Sequence, residues 1–167
     1  IGSIAVNLLS LLGAKVSAVT GKSDVDNYLF DLGATQTIQR DKFIKETNQP
    51  LSKGVFRAAV DVAGGPTLSS ILACMRYEGI VTCCGNVGGA EFATSVFPFI
   101  LRGNSLIGID TAEKSLHYKE KIWNRFSREW KLTGLDAICN EVNLNSLVDE
   151  IKKILEGQML GRVIVKM

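Results

Sequence analysis

The stretch from Val16 to Lys22, which reads Val-Ser-Ala-Val-Thr-Gly-Lys, has the pattern of a buried strand that ends in a small polar turn. Ahead of it, residues 2–12 carry apolar side chains at helical spacing. Behind it, residues 24–32 have a second helical pattern, which Ser23 or Asp24 would cap. A helix, a strand and another helix in this order are typical of an α/β fold.

The same alternation continues to the end of the chain. Further strands are predicted at residues 35–38, 56–62, 80–84, 105–109 and 162–166. Helical patterns or helical turns cover part of 41–53 and residues 67–75, 97–103, 115–131 and 145–156. We therefore predict a Rossmann-type, doubly wound parallel sheet with helices on both faces, followed by a C-terminal helical tail and a short strand.

The last two helical patterns are amphipathic, and each predicts a stripe that is buried against the rest of the protein. The stripe of residues 115–131 contains Leu116, Trp123, Phe126 and Trp130. The stripe of residues 145–156 contains Leu147, Val148, Ile151, Ile154 and Leu155.

The chain begins at Ile1 directly with a helical pattern, whereas a Rossmann unit begins with a strand and a glycine-rich turn. We expect that first strand to lie upstream of Ile1. We assign residues 1–134 to the Rossmann domain and residues 135–167 to a tail.

Charge and hydropathy exclude several classes of partner. The chain carries 19 Lys and Arg against 17 Asp and Glu, a formal net charge of +2, and no basic run indicates nucleic acid or a membrane surface. No apolar stretch approaches the roughly 18 residues that cross a bilayer. We expect a soluble, cytoplasmic protein.

The cysteines and the single histidine argue against metal and nucleophilic chemistry. No two of Cys74, Cys83, Cys84 and Cys139 have the two-residue gap of a zinc knuckle or a redox pair. We expect buried thiols of a reducing compartment and no zinc. His117 lies in a polar helical run, which argues against a Ser-His-Asp or metal-dependent hydrolase.

The turn after the first predicted strand indicates a nucleotide. In dinucleotide-binding folds an acidic residue at this place binds the ribose 2′-hydroxyl of NAD. Here Thr20, Gly21 and Lys22 provide a hydroxyl, a turn without a side chain and a cation, which suit the 2′-phosphate of NADP. The alternative is that Lys22 is an ordinary solvated turn residue.

Two later strands also end in glycine-rich turns, one around Gly64 and one at Gly85. Ligands of open α/β sheets bind outside the carboxyl ends of the strands, so these turns are expected to form one wall of a cofactor cleft. The alternative is that the turns need glycine for their own geometry.

These residues resemble the cofactor-binding half of medium-chain dehydrogenases/reductases, in the zinc-free quinone-oxidoreductase branch that includes NADPH-dependent acryloyl-coenzyme A reductases. The resemblance covers nearly the whole chain. It is carried by Gly2-Ser3-Ile4-Ala5-Val6, Thr20-Gly21-Lys22, Tyr28-Leu29, Leu32-Gly33-Ala34, Asp61-Val62-Ala63-Gly64-Gly65, Cys84-Gly85, Pro98-Phe99-Ile100-Leu101-Arg102-Gly103, Gly108-Ile109-Asp110 and Gly161-Arg162-Val163.

The resemblance implies a set of residues around NADP(H). They are Ser3 at the pyrophosphate; Thr20, Gly21, Lys22 and Ser23 at the 2′-phosphate; Tyr28 and Arg40 nearby; Gly64, Cys84, Gly85 and Asn86 at the ribose and nicotinamide; and Ile109, Asp110 and Thr111 facing the nicotinamide.

Several of these residues have a structural alternative. Tyr28 could cover the phosphate or the adenine, or pack against a neighbouring strand. Arg40 could be a second phosphate-binding cation, or pair with Asp41. Asp110 could contact the nicotinamide or cap a helix. Arg102 could meet a substrate phosphate, or bind backbone carbonyl groups.

The resemblance also implies the reaction. Hydride would pass from NADPH to the β-carbon of an α,β-unsaturated carbonyl or thioester such as acryloyl-coenzyme A, or to a quinone. It implies an N-terminal catalytic domain outside this sequence, an inactive isolated cofactor half, and a homodimer that pairs the strand between Ser105 and Ile109. The alternatives are an NADP-sensing module or a methyltransferase, and Thr20 in place of an acid argues against the methyltransferase.

Overall fold

The computed structural model describes residues 1–167. The strands are β1 (Val16–Thr20), β2 (Ala34–Gln39), β3 (Phe56–Asp61), β4 (Met75–Cys83), β5 (Ser105–Gly108), β6 (Cys139–Asn143) and β7 (Arg162–Lys166). The α-helices are α1 (Gly2–Leu11), α2 (Asp26–Asp31), α3 (Arg40–Glu46), α4 (Gly65–Ala73), α5 (Phe97–Arg102), α6 (Leu116–Phe126), α7 (Leu135–Ile138) and α8 (Leu147–Leu155).

Every strand pair is parallel, and the strands form three groups: β1–β2, β3–β4–β5 and β6–β7. The predicted Rossmann-type α/β fold is confirmed. No hydrogen bonds join β1 to β3. In the common doubly wound order 3-2-1-4-5-6, β1 corresponds to strand 2 and β3 to strand 4, and strand 1 of that order lies between them.

Both faces of the β1–β2 pair are covered. The first core cluster contains Val6, Val16, Ala18, Val25, Leu29, Leu32, Ala34 and Ile138. The second contains Phe43, Leu68, Ile71, Leu72, Cys74, Met75 and Val81. Because side chains alternate along a strand, Ala18 faces the first cluster, while its neighbour Val19 packs against the second. Helices α1 and α2 cover one face, and α3 and α4 cover the other.

The predicted cap of the second helix is wrong. Helix α2 begins at Asp26, and its N-cap is Val25 with no side-chain hydrogen bond, rather than Ser23 or Asp24. Val25 is buried in the first cluster, and the helix begins at the next residue. Asp24 has a φ of 57°, which keeps it in a turn. Gly33, with a φ of 98°, ends the helix region as predicted.

Strand β4 begins five residues earlier than predicted, and Met75 belongs to it rather than to the preceding helix. Phe56 pairs with Met75, and Ala58 pairs with Ile80. Residues 76–79 therefore lie opposite the single residue Arg57 and form a wide bulge, which we call the β4 bulge. The Arg-Tyr-Glu-Gly sequence of this bulge has no strand alternation, which is why the prediction began at residue 80.

The tail contains a strand that the sequence analysis missed. Strand β6 pairs in parallel with β7. The prediction of a helical tail with a single short strand is therefore incomplete. Its sequence, Cys-Asn-Glu-Val-Asn, is too polar to predict a strand. Ile138, just before β6, is buried in the first cluster and attaches the tail to the domain.

The predicted burial of both amphipathic stripes is wrong. Helix α6 ends at Phe126, has no buried residue, and leaves Trp123 71% exposed. In α8 the buried residue is Glu150, while Val148, Ile151, Ile154 and Leu155 are exposed. Periodicity predicts an apolar face, but no element of this chain covers either one. None of the helices is both long and apolar enough to cross a membrane.

The second cluster gives a direct test of the packing. Leu72 on α4 is 0% exposed, whereas Leu155 on α8 is 81% exposed. We expect Leu72→Ala to lower the free energy of unfolding by about 2–5 kcal/mol, because it removes buried methyl groups and leaves a cavity. Urea denaturation measures the change. The matched Leu155→Ala should change it by less than about 0.5 kcal/mol, and equal losses in the two variants would contradict this packing.

Candidate functional site

The turns after β3, β4 and β5 lie at one edge of the parallel strands. Asp61 at the end of β3 pairs with Cys83 at the end of β4, and Cys83 pairs with Gly108 at the end of β5. The predicted site residues that follow these three strands are therefore neighbours. The edge is the place where open α/β sheets bind their ligands.

The turn after β1 brings two cations together. The amide of Lys22 donates a hydrogen bond of 3.1 Å to Oγ1 of Thr20, which closes the turn. Thr20 pairs with Gln39, so Arg40 follows directly on the neighbouring strand. The guanidinium of Arg40 lies over Gly21, where any β-carbon would overlap it. A side chain at position 21 would displace the guanidinium of Arg40 from this position.

Neither of these cations has an acidic partner. The ion pairs of the chain include neither Lys22 nor Arg40, so the alternative that Arg40 pairs with Asp41 is wrong. The ammonium of Lys22 instead contacts the carbonyl oxygen of Gly157, just beyond the C-terminus of α8. A helix C-terminus carries partial negative charge, which favours this contact. The cations beside this turn are therefore not neutralised by an ion pair.

Ser3 lies in the first turn of α1, which has no acidic residue and no side-chain cap. The first backbone N–H groups of a helix have no partner within it, and an anion can accept from them. The hydroxyl of Tyr28 donates a hydrogen bond of 2.9 Å to Oγ of Ser3. Tyr28 is also packed against the first cluster, so it holds α2 against the beginning of α1. This geometry favours the packing alternative for Tyr28.

The turn around Gly64 is organised by a residue that the sequence analysis did not select as functional. Asp61 is 1% exposed, and its carboxylate accepts hydrogen bonds from the amides of Ala63 (3.2 Å) and Gly64 (2.9 Å). An aspartate followed two or three residues later by a tight turn is a typical signal for such a structure. Gly64 has a φ of 69° and a ψ of −156°, which favour glycine.

The two glycine-rich turns also pack against each other. A β-carbon at Gly85 would overlap the carbonyl group of Val62, and one at Gly65 would overlap the carbonyl group of Gly88. The glycines are therefore required for the contact between the turns. This supports the alternative that the turns need glycine for their own geometry, and a role in cofactor binding remains a prediction.

Cys84 lies between these turns as a protonated thiol. Its Sγ donates a hydrogen bond of 3.5 Å to the carbonyl oxygen of Asp61. Burial raises the pKa of the Cys84 thiol above its ordinary value, and the Asp61 carboxylate and Cys83 raise it further. A thiol is a poor nucleophile, so this environment suits a packing role. No three His, Cys, Asp or Glu side chains come together where they could hold a metal ion.

The segment after β5 is shaped by local hydrogen bonds. The strand ends at Gly108, one residue earlier than predicted, although the amide of Ile109 still donates to the carbonyl oxygen of Cys83 at 2.9 Å. The carboxylate of Asp110 accepts from the amides of Ala112 and Glu113 at 2.9 and 3.2 Å. Asp110 thus stabilises a local turn rather than capping a helix, since the next helix begins at Leu116 with Ser115 as its N-cap. Thr111 is exposed beside it.

Arg102 binds backbone carbonyl groups, which is the structural alternative that the sequence left open. Its Nη1 donates to the carbonyl oxygens of Ala73 and Met75 at 3.1 and 2.6 Å, and its Nη2 donates to that of Ser52. These acceptors lie at the amino edge of the sheet, away from the turns described above. The guanidinium therefore ties α5 to the start of β4.

The doubly wound sheet and the cationic turn define a Rossmann-type domain whose carboxyl edge suits an anionic ligand. The sequence profile of the zinc-binding dehydrogenases matches residues 1–128, and the chain belongs to this family. The predicted resemblance to the quinone-oxidoreductase branch of the medium-chain dehydrogenases/reductases is confirmed.

Known proteins are similar to this chain in sequence and structure over nearly its whole length. The acrylyl-CoA reductase AcuI of Ruegeria pomeroyi is 36% identical over 165 residues, which are 99% of this chain and 50% of AcuI. The crystal structure of Escherichia coli K-12 YhdH with bound NADPH is 35% identical with a TM-score of 0.91, over 99% of this chain and 50% of that one. The Bacillus subtilis protein YhfP with NAD bound is 40% identical with a TM-score of 0.92, over 99% and 51%. The chain thus spans about half the length of the curated relatives it matches.

The contact between the glycine turns generates a stability prediction. We expect Gly85→Ala to lower the free energy of unfolding by about 1–3 kcal/mol, because the new methyl group overlaps backbone atoms of Val62 that cannot rotate away. Gly108→Ala is the matched control, since no atom lies within 4 Å of a β-carbon built there. Thermal and urea unfolding measure both variants. A Gly85→Ala protein as stable as Gly108→Ala would show that the two turns are not in contact.

Proposed function

We propose that this chain is the NADPH-binding half of a reductase that transfers hydride to an α,β-unsaturated carbonyl or thioester, of the acryloyl-coenzyme A type, or to a quinone. The observation that carries the proposal is the pair of cations, Lys22 and Arg40, at a turn without a carboxylate partner. The printed names of the relatives support it, since they include acrylyl-CoA reductases and a structure with NADPH bound.

The preference for NADPH over NADH rests on charge. The 2′-phosphate would accept charge-assisted hydrogen bonds from Lys22 and Arg40, and a hydrogen bond from the hydroxyl of Thr20. It would replace the Gly157 carbonyl as the acceptor for Lys22, because a charged acceptor is stronger than a neutral one. NADH offers only a hydroxyl at this position and gains much less. The relatives alone leave the choice open, because YhfP was solved with NAD.

We propose that the remaining predicted residues line the same cleft. The amides at the start of α1, with Ser3, would donate hydrogen bonds to the pyrophosphate, and Ser23 would complete the 2′-phosphate site. The residues proposed to approach the ribose and nicotinamide are Gly64, Cys84, Gly85, Asn86, Ile109, Asp110 and Thr111. The dihydronicotinamide ring of NADPH supplies the hydride when bound. The chain's task is to orient the ring and to exclude water from it.

A zinc-free reaction is part of the proposal. Three or four protein ligands are needed to hold catalytic or structural zinc, and no such group of side chains converges within this chain. Reduced cysteines support a cytoplasmic location, since none of the four forms a disulfide.

The domain division is also proposed. Residues 1–134 would bind the nucleotide, and residues 135–167 would pack on a catalytic half that contributes the substrate site. The exposed apolar face of α8 supports this, because an amphipathic helix of a folded enzyme normally buries its stripe. A strand outside residues 1–167 would fill the break between β1 and β3.

We further propose a homodimer through β5, which lies at the edge of its sheet. Exposed Ile107 and Ile109 and the absence of proline in β5 leave this edge open to pairing. Ile109 donates its N–H to β4, and successive N–H groups point to opposite sides of a strand. The outward-pointing donors are therefore those of Leu106 and Gly108.

The nucleotide proposal predicts a selective loss of affinity. We expect Lys22→Ala to weaken NADPH binding about tenfold or more, because a charge-assisted hydrogen bond contributes roughly 1.5–3 kcal/mol, and to leave NADH binding nearly unchanged. Calorimetric titration with each nucleotide measures both affinities. S-adenosylmethionine, titrated in parallel, should not bind.

Lys42→Ala is the control, because Lys42 is an exposed lysine that pairs with Glu46. It should leave both affinities unchanged. Two results would contradict the assignment of the 2′-phosphate site. One is an equal loss of NADPH and NADH affinity in Lys22→Ala, and the other is an equal affinity of the unaltered protein for the two nucleotides.

The domain proposal predicts that residues 1–167 alone do not oxidise NADPH in the presence of acryloyl-coenzyme A. Hydride transfer needs reacting atoms about 3–3.5 Å apart, which half of a cleft cannot enforce. Absorbance at the NADPH band measures turnover. Sustained oxidation by this chain would show that the catalytic groups lie within it.

The dimer proposal predicts that Gly108→Pro shifts the protein towards monomer, since proline removes an outward-pointing donor. Gly108→Ala keeps the donor and should keep the dimer. Static light scattering at high micromolar concentration compares the two variants with the unaltered chain. A strictly monomeric unaltered chain would show that this edge does not pair.

A further inference from the structure

At the amino edge of the sheet, opposite the proposed nucleotide cleft, a cavity of about 350 Å³ is lined by Gly54, Arg57, Arg76, Tyr77 and Arg102. We call it the arginine pocket. Three of its side chains are guanidinium groups, and a fourth is a phenol. With a rise of about 3.3 Å per residue along β3, Arg57 lies about 13 Å from Asp61, so the two sites are separate.

The β4 bulge builds the pocket. Arg57 is the single β3 residue opposite residues 76–79, so the bulge carries Arg76 and Tyr77 next to it. Gly54 allows the close approach of Arg76, whose Cα would lie 3.2 Å from a β-carbon at position 54. The bulge is fixed at its far end, where the amide of Gly79 donates a hydrogen bond of 3.0 Å to the buried side chain of Asn104.

Arg102 forms the immobile part of the pocket. Its hydrogen bonds to the carbonyl groups of Ala73, Met75 and Ser52 use three of the five N–H groups of a guanidinium. Two N–H groups remain for another acceptor. Because the side chain is already held in place, a ligand would not need to order it on binding.

The three arginines lack a counter-ion. None of the ion pairs in the chain includes Arg57, Arg76 or Arg102, and the nearby carboxylate of Glu78 pairs with none of them. Guanidinium groups that line one cavity without a carboxylate raise its positive potential. An anion that accepts hydrogen bonds from several of them at once lowers this potential, and phosphate has the geometry to do so.

We propose that the arginine pocket binds the phosphate group of a small molecule, independently of the nucleotide cleft. Arg57, Arg76 and the free N–H groups of Arg102 would hold the phosphate oxygens, and the hydroxyl of Tyr77 would donate a further hydrogen bond. The cavity volume suits a phosphate with a small organic group, because small-molecule sites occupy about 300–1,000 Å³. A nucleic acid fits less well, since no basic stripe extends from the pocket in a chain of net charge +2.

The test is calorimetric titration of the protein with inorganic phosphate and with pyrophosphate at constant ionic strength. The titration is run with saturating NADPH, which occupies the anion-binding groups of the proposed nucleotide cleft, and we expect one further site that takes pyrophosphate more tightly than phosphate. Arg57→Gln and Arg76→Gln should each weaken pyrophosphate binding about tenfold or more. Both residues are exposed, so the variants should keep the urea midpoint of the unaltered protein.

The variants of the proposed nucleotide cleft distinguish the two sites. Lys22→Ala should leave pyrophosphate binding at the arginine pocket unchanged, and Arg57→Gln should leave NADPH binding unchanged. Pyrophosphate binding that survives both arginine substitutions, or that is lost in Lys22→Ala, would overturn the proposal. So would the absence of any saturable pyrophosphate binding.

Discussion

Parallel pairing of the strands is the constraint on which the rest of this structure depends. It puts the carboxyl ends of β3, β4 and β5 at one edge of their sheet, and it does the same for β1 and β2 in their own pair. The start of α1 lies beside the turn after β3, since a β-carbon at Gly2 would be 3.9 Å from the side chain of Val62. The buried carboxylate of Asp61 fixes the central turn by accepting two amide hydrogen bonds.

The sequence predicted the strands and helices whose patterns are local. Val16, Ala18 and Val19 are apolar because both faces of β1 are covered, and Gly33 ends the helix region with a positive φ. The β4 bulge and strand β6 were missed because they depend on pairing with distant segments. Periodicity identified the apolar faces of α6 and α8 but could not predict that no part of this chain covers them.

The candidate site was predictable in part for the same reason. Thr20, Gly21 and Lys22 form a local motif, and the turn hydrogen bond between Lys22 and Thr20 bears out that geometry. The position of Arg40 over Gly21 depends on the register of β1 and β2, which sequence alone left open. Glycines at the carboxyl edge gave an ambiguous signal, because backbone packing between turns and ligand approach both require the absence of a β-carbon.

The central claim is that the β1 turn prefers a phosphate because Thr20 ends the strand in place of an acid and the nearby cations Lys22 and Arg40 form no ion pair. The most direct measurement is the ratio of the NADPH and NADH dissociation constants in Thr20→Asp, with Thr20→Asn as the uncharged control. A carboxylate at this position would repel the 2′-phosphate and accept hydrogen bonds from a ribose 2′-hydroxyl. We therefore expect the ratio to shift towards NADH by tenfold or more in Thr20→Asp, and by much less in Thr20→Asn. An unchanged ratio in Thr20→Asp would contradict the account.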